Sequence, residues 1–312
     1  MQNMINFNKV KTYPIKERIN KVKKEDFARP AKRGTSFAGF YDSLPRILAA
    51  EDLKAVVKDI AGAYEKQKPV IFMMGAHVIK CGLNPLIIDL IKRNIIKCVA
   101  LNGAGMIHDF EIALIGQTSE DVAMNIEKGK FGMARETSVY LNDAIKKGVK
   151  KNKGIGYSVG EMIYKKNLPN KELSILYWCY KKNIPATIHV AIGTDIIHQT
   201  PYCDGAATGK GSLLDFRRFT EVVSKIGGGG VVLNIGSDVI LPELFLKALT
   251  VARNLGFKVR NFTTANFDKE TKYRPMQNVV KRPVLSGGKG YSITGHHEIM
   301  VPLLAQAVIE NI

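Results

Sequence analysis

Cysteine is scarce in this chain: four residues among 312, at Cys81, Cys98, Cys179 and Cys203. No two of them make a CxxC pair, so the spacing writes neither a disulfide framework nor a thiolate zinc site; free thiols in a reducing, cytoplasmic setting are expected. No apolar run approaches the roughly 20 residues that a membrane-spanning helix needs, and no membrane association is expected. The opening stretch, MQNMINFNKVKTYPIKERINKVKKEDF, is charged throughout and has no apolar core, so a secretory signal is not expected either. Acidic residues are few, 28 against 46 Lys and Arg, which leaves a net charge of +18. Lysine is nevertheless scattered over helix-face positions such as Lys146, Lys147, Lys150 and Lys151. Without an arginine-rich tail or a basic stripe interleaved with aromatics, a solvated lysine surface is expected and nucleic acid is not. The dinucleotide fingerprint GxGxxG is missing, and so are the HxxxH and HxH spacings of common metal sites.

What is present is a hydrophobic fraction of 46%, ample for a large core. The chain is organised around Pro69–Glu111. Two apolar runs, Val70–Met74 and Cys98–Asn102, each end in glycine and a histidine-bearing turn, and Leu86, Ile87, Leu90 and Ile91 recur between them at helical spacing. The pattern predicts strand, turn, helix, twice over. Continuous apolar strands belong to parallel sheets covered on both faces. Their carboxyl ends are where open α/β sheets bind ligands, so Gly75–Gly82 and Asn102–Asp109 are expected to wall one crevice. A helix is expected from about Leu44 to Lys66. The second half resumes the alternation, with strands at Ala186–Ile192, Val231–Ile235 and Lys258–Asn266. A loop of about 20 residues, GTDIIHQTPYCDGAATGKGS, follows the first of these, and loops of that length are usually functional. The class expected is α/β: a doubly wound, mostly parallel, Rossmann-like sheet with helices on both faces. It comprises a basic arm over 1–42 and a single domain over 43–312.

His77, His108, His198, His296 and His297 all follow predicted strands, so all are expected on the ligand rim; His189 lies within a strand and is expected in the core. Imidazoles on that rim suit two chemistries: proton transfer beside a bound dinucleotide, or a metal site with Asp195, Asp204 or Asp109. The spacing favours no metal, and none is assigned. Small residues at strand ends, Gly75, Asn102, Gly103, Gly105, Gly236, Thr264 and Ala265, allow a pyrophosphate close to the backbone. Lys281, in the Tyr273–Gly290 loop, could form an imine only if its pKa fell by about three units.

The segments LIKRNIIKCVALNGAGMIHDF, IPATIHVAIGTDIIHQTPYCDGAATGKGSLLDF, GGGGVVLNIG, NFTTANFD, YRPMQNVVK and VPLLAQAV stand in an order and spacing that resemble the deoxyhypusine synthase family over residues 60–312. The resemblance implies a Rossmann-like fold with NAD and a homotetramer whose sites lie between paired subunits. It also implies transfer of an aminoalkyl group from a spermidine-like polyamine, through a lysine imine, to an amine acceptor that can be a protein lysine. By the same resemblance Gly103, Gly105, Asp204, Thr264 and Ala265 contact cofactor and Asp215 and Asp268 contact substrate, with His198 beside them. Lys281 is the nucleophile that the resemblance implies, and His108, His296 or His297 are expected to move protons. The sequence also departs from the family. Lys281 is two residues closer to Arg274-Pro275, no tryptophan adjoins it, Ile107 and His108 replace paired carboxylates, and His296 replaces an aspartate. A changed substrate is therefore expected. The alternatives are a histidine- or metal-dependent hydrolase on the same scaffold, or a non-catalytic protein whose basic surface docks an anionic partner.

Overall fold

A computed structural model describes residues 5–312. Six strands form one all-parallel sheet: β1 (Val70–Met74), β2 (Cys98–Asn102), β3 (Ala186–His189), β4 (Val231–Ile235), β5 (Phe262–Asp268) and β6 (Gly288–Thr294). Their order across the sheet is β3-β2-β1-β4-β5-β6. This is the doubly wound arrangement, and its strand order reverses between β1 and β4. The helices in chain order are α1 (Phe37–Ser43), α2 (Leu48–Glu65), α3 (Ala76–Lys80), α4 (Asn84–Lys92), α5 (Gly103–Ile115), α6 (Val122–Ile126) and α7 (Arg135–Lys150). They continue with α8 (Ile155–Lys166), α9 (Ile175–Lys181), α10 (Gly205–Val223), α11 (Ile240–Asn254), α12 (Tyr273–Pro275) and α13 (His297–Glu310). Among the described residues no helix is long and apolar enough to cross a membrane.

The alternation of side chains along a strand splits the core in two. Val70, Phe72 and Met74 of β1 pack with α2, α4, α5 and α13, whereas Ile71 and Met73 pack with Phe219 of α10 and with Leu241, Phe245 and Leu249 of α11. Every residue of β1 and β4 is therefore buried, which is why VIFMM and VVLNI read as unbroken apolar runs.

Three expectations about elements are corrected. The helix expected from Leu44 begins at Leu48, which takes φ of 53°, and a separate short helix, α1, precedes it at Phe37–Ser43. The long loop after β3 ends at Asp204, whose side chain accepts from the Ala207 N–H and starts α10. The glycines there read as loop, yet all three lie in α10, and at one of them the helix packs closely: a Cβ on Gly211 would come within 2.8 Å of Ile155. β5 begins at Phe262 rather than Lys258, because the Arg260 and Asn261 carbonyls are taken by the N–H groups of Gly228 and Gly229. Residues 5–36 carry only short 3-10 turns and leave Phe7, Ile15 and Ile19 exposed.

His189 is a core residue, 5% exposed, with its Nε2 against Thr187 Oγ1 at 2.9 Å. Burial pushes its pKa down to about 3. The unfolded chain takes up this proton below about 6.5 while the folded chain does not, so stability is lost as pH falls through that point. His189→Gln is expected to remove about 1–2 kcal/mol of the stability difference between pH 6.5 and pH 5, read from urea midpoints. Equal acid sensitivity in both proteins would contradict a neutral buried imidazole.

Candidate active site

The carboxyl ends of the strands open into a cavity of about 370 Å³ at the reversal point. It is lined by His77 at the start of α3, Asn102 at the end of β2, Gly236–Ile240 after β4, Asp268 and Lys269 at the end of β5, and His296–Glu298 at the start of α13. Two glycines let these turns meet. A Cβ on Gly75 would lie 1.9 Å from the Gly236 carbonyl oxygen, and one on Gly236, held at φ +65°, would lie 2.2 Å from His297 Nε2. The β1 and β4 turns therefore touch through backbone, with the His297 ring seated on Gly236.

His297 is 4% exposed, its Nε2 has no hydrogen-bond partner, and its ring meets that of His77 edge-on at 5.6 Å between centroids. Burial, and then the neighbouring His77, hold its pKa below the ordinary imidazole value, so it stays neutral and can accept a proton. Asp268 is 7% exposed, accepts from the Lys269 N–H at 2.7 Å and leaves Oδ2 unpartnered. Burial raises its pKa, and the Asp238 carboxyl beside it raises it further. Two carboxyls competing for one site favour a cation between them. Glu298 is exposed and held low by its own backbone N–H and by His296, whose Nδ1 lies 3.6 Å from Oε1.

The residues expected from the sequence fall into two groups. His296, His297, Asn102, Gly236 and Asp268 line the cavity, and Gly75 supports its floor. The others do not line it. His108 sits on the second turn of α5, turned away: its Nδ1 meets Thr118 Oγ1 at 2.6 Å, and burial pushes its pKa down to about 4. His198 folds under its own loop, Nδ1 accepting from the N–H groups of Gly193 and Asp195. Gly103 and Gly105 open α5, but a Cβ on Gly103 would meet the Asp195 carboxylate at 1.9 Å, and the Gly105 N–H is taken by Asn102 Oδ1. That helix start already faces a carboxyl group, raised to about 6 by burial. Thr264 and Ala265 are buried in mid-strand, Thr264 donating to the Val279 carbonyl. Asp204 is spent on capping α10. Asp215 is 2% exposed and accepts from the N–H groups of Gly156 and Ile188.

Lys281 also lies outside the cavity. It ends a π-helical stretch, Met276–Lys281, that runs back along β6, where Val280 covers Gly290 in mid-strand. The chain beyond it reaches the opposite end of the sheet, where Arg253 holds the Pro283 carbonyl. The lysine that lines the cavity is Lys269. Asp238, Lys269 and Glu298 are additions to the site; Lys269 and Glu298 directly follow Asp268 and His297, Asp238 stands two residues after Gly236, and that nearness is the available signal.

No family model and no curated protein matches the chain. Solved structures do. A candidate deoxyhypusine synthase from Entamoeba histolytica superposes with a TM-score of 0.52 at 11% identity, over 91% of this chain and 96% of that one. A conserved candidate LOR/SDH protein from Methanococcus maripaludis S2 gives 0.50 at 18% identity, over 82% and 70%. AgrE, crystallised with ornithine and NAD+, gives 0.51 at 13% identity over 86% of this chain, which spans only 34% of AgrE. At these identities the likeness is one of fold: a Rossmann-like α/β architecture of the deoxyhypusine synthase type.

Proposed function

We propose that this protein is an NAD-dependent enzyme of deoxyhypusine synthase-like type that transfers an aminoalkyl group from a spermidine-like polyamine to an amine acceptor. The observation that carries this reading is the cavity at the β1/β4 reversal, where neutral imidazole and paired carboxyls meet at the carboxyl ends of parallel strands. NAD, when bound, would take up a hydride from the amine-bearing carbon. Gly236, Ser237 and the Ile240 N–H that opens α11 would hold its phosphates, since that helix start faces the cavity and the start of α5 is already faced by Asp195; the Leu241 N–H is engaged by Ser237 Oγ and Pro242 has none. Asp238, Asp268 and Glu298 would hold the cationic amine, and His297 would accept its proton.

The lysine imine is assigned to Lys281 by resemblance, and from its exposed position Lys281 would reach a cavity only across a subunit interface. That requirement agrees with a homotetramer, and the exposed apolar side chains of the arm offer surface for one. Incubation with NAD and spermidine, followed by borohydride trapping and peptide mapping, tests both parts. A reduced adduct on Lys281 supports the interface site, and one on Lys269 moves the nucleophile into the cavity. Absence of NAD binding by calorimetry together with absence of any adduct would refute the reading.

A further inference from the structure

One corner of the cavity carries a ligand set of which the proposed reaction uses only Glu298. His77 and Cys81 stand one helical turn apart, at i and i+4, at the start and just past the end of α3. Glu298, in the first turn of α13, comes to meet them from across the chain. One ligand atom from each of the three lies within 4.8 Å of the others, and Cys81 Sγ is 3.7 Å from Glu298 Oε2. An imidazole nitrogen, a thiol and a carboxylate converge here from two helices far apart in the chain, the Cys81 S–H donating to the Glu298 carboxylate. The second observation is His297: nine-tenths buried, its ring against that of His77, its Nε2 unpartnered and directed at the cavity wall.

We propose that His77, Cys81 and Glu298 bind a divalent transition-metal ion of the zinc type, with its remaining position open to the cavity. Mixed nitrogen, sulfur and oxygen donors suit zinc and cobalt, while magnesium and calcium take oxygen sets. Three protein ligands and one open position is the arrangement of catalytic rather than structural zinc. Binding expels the Cys81 thiol proton to solvent and leaves Sγ as the thiolate ligand. His296 Nδ1 lies 3.6 Å from Glu298 Oε1, on the outer side of the carboxylate. The site shares Glu298 with the carboxyls assigned to the amine, but its metal readout requires neither NAD nor a polyamine.

The test is titration of the metal-stripped full chain with Co2+ and Zn2+, followed by absorption spectroscopy and elemental analysis after gel filtration. The expected result is about one equivalent of metal per chain and a thiolate-to-cobalt charge-transfer band. In Cys81→Ser the band is expected to disappear, and in Cys81→Ser and in Glu298→Gln the affinity is expected to fall at least about tenfold. Cys203→Ser is the control and is expected to leave both unchanged. Glu298 is exposed, so its variant keeps the test open should the Cys81 variant fold poorly. Sub-stoichiometric metal, a cobalt spectrum without thiolate character, or binding unchanged in both ligand variants would overturn the proposal.

Discussion

Asp109→Ala is expected to leave the protein largely unfolded or to lower its stability by about 3–5 kcal/mol, a large part of the 5–15 kcal/mol that holds a typical domain. Asp109 lies fully buried on α5 and accepts from Ser174 Oγ at 2.6 Å, the Ile175 and Leu176 N–H groups at 2.7 and 3.1 Å, and Asn84 Nδ2 at 3.2 Å. One carboxylate thus caps the start of α9 and ties α4 and α5 to it. Burial lifts its pKa to about 6 against the pull of those donors. Truncation leaves three buried donors without an acceptor, each costing about 1–3 kcal/mol before relaxation, and leaves Asn84 Nδ2 with the Leu173 carbonyl alone. Asp109→Asn keeps one accepting oxygen and turns an NH2 toward N–H donors, so an intermediate loss is expected. Urea unfolding followed by circular dichroism measures both; midpoints within about 0.5 kcal/mol of wild type would show that the network contributes little.

Asp109 marks where the sequence stops being informative. The strands were legible because burial on both faces leaves unbroken apolar runs, as in Val70–Met74 and Val231–Ile235. The cavity was legible in part because parallel strands send their following residues to one rim, which placed Asn102, Gly236, Asp268, His296 and His297 there. Helix phase defeated the expectation for His108: six residues past the strand end it has turned away from the rim. Buried carboxylates were misread for a different reason. A sequence displays the acceptor but not the donors, which for Asp109 arrive from 25 residues before it at Asn84 and 65 after it at Ser174. The His77–Cys81 pair was visible as a helical spacing, yet its third member lies 217 residues beyond Cys81. Only the fold brings Glu298 beside it.

The same distinction gives Asp215→Ala its expected outcome: loss of folding stability rather than loss of substrate affinity. Resemblance assigns this residue to substrate, but it is 2% exposed, and its Oδ2 accepts from the Gly156 N–H at 2.9 Å and the Ile188 N–H at 2.8 Å. It therefore joins the start of α8 to β3, from a position on α10. Space is closed around it as well, since a Cβ on Gly154 would meet Oδ1 at 1.8 Å. Burial pushes this carboxyl up to about 7, so near neutral pH it does not present a full charge to a cationic amine. Alanine leaves two buried N–H groups unpaired and a void between α8, α10 and β3, for an expected loss of about 2–5 kcal/mol. Asparagine keeps the shape and one acceptor, and is expected to lose less. If Asp215 instead binds the polyamine, asparagine would raise KM for spermidine while the melting temperature held. A lowered melting temperature with unchanged KM in the folded fraction places Asp215 in the frame of the fold, and leaves amine recognition to Asp238, Asp268 and Glu298 at the other end of the sheet's strands.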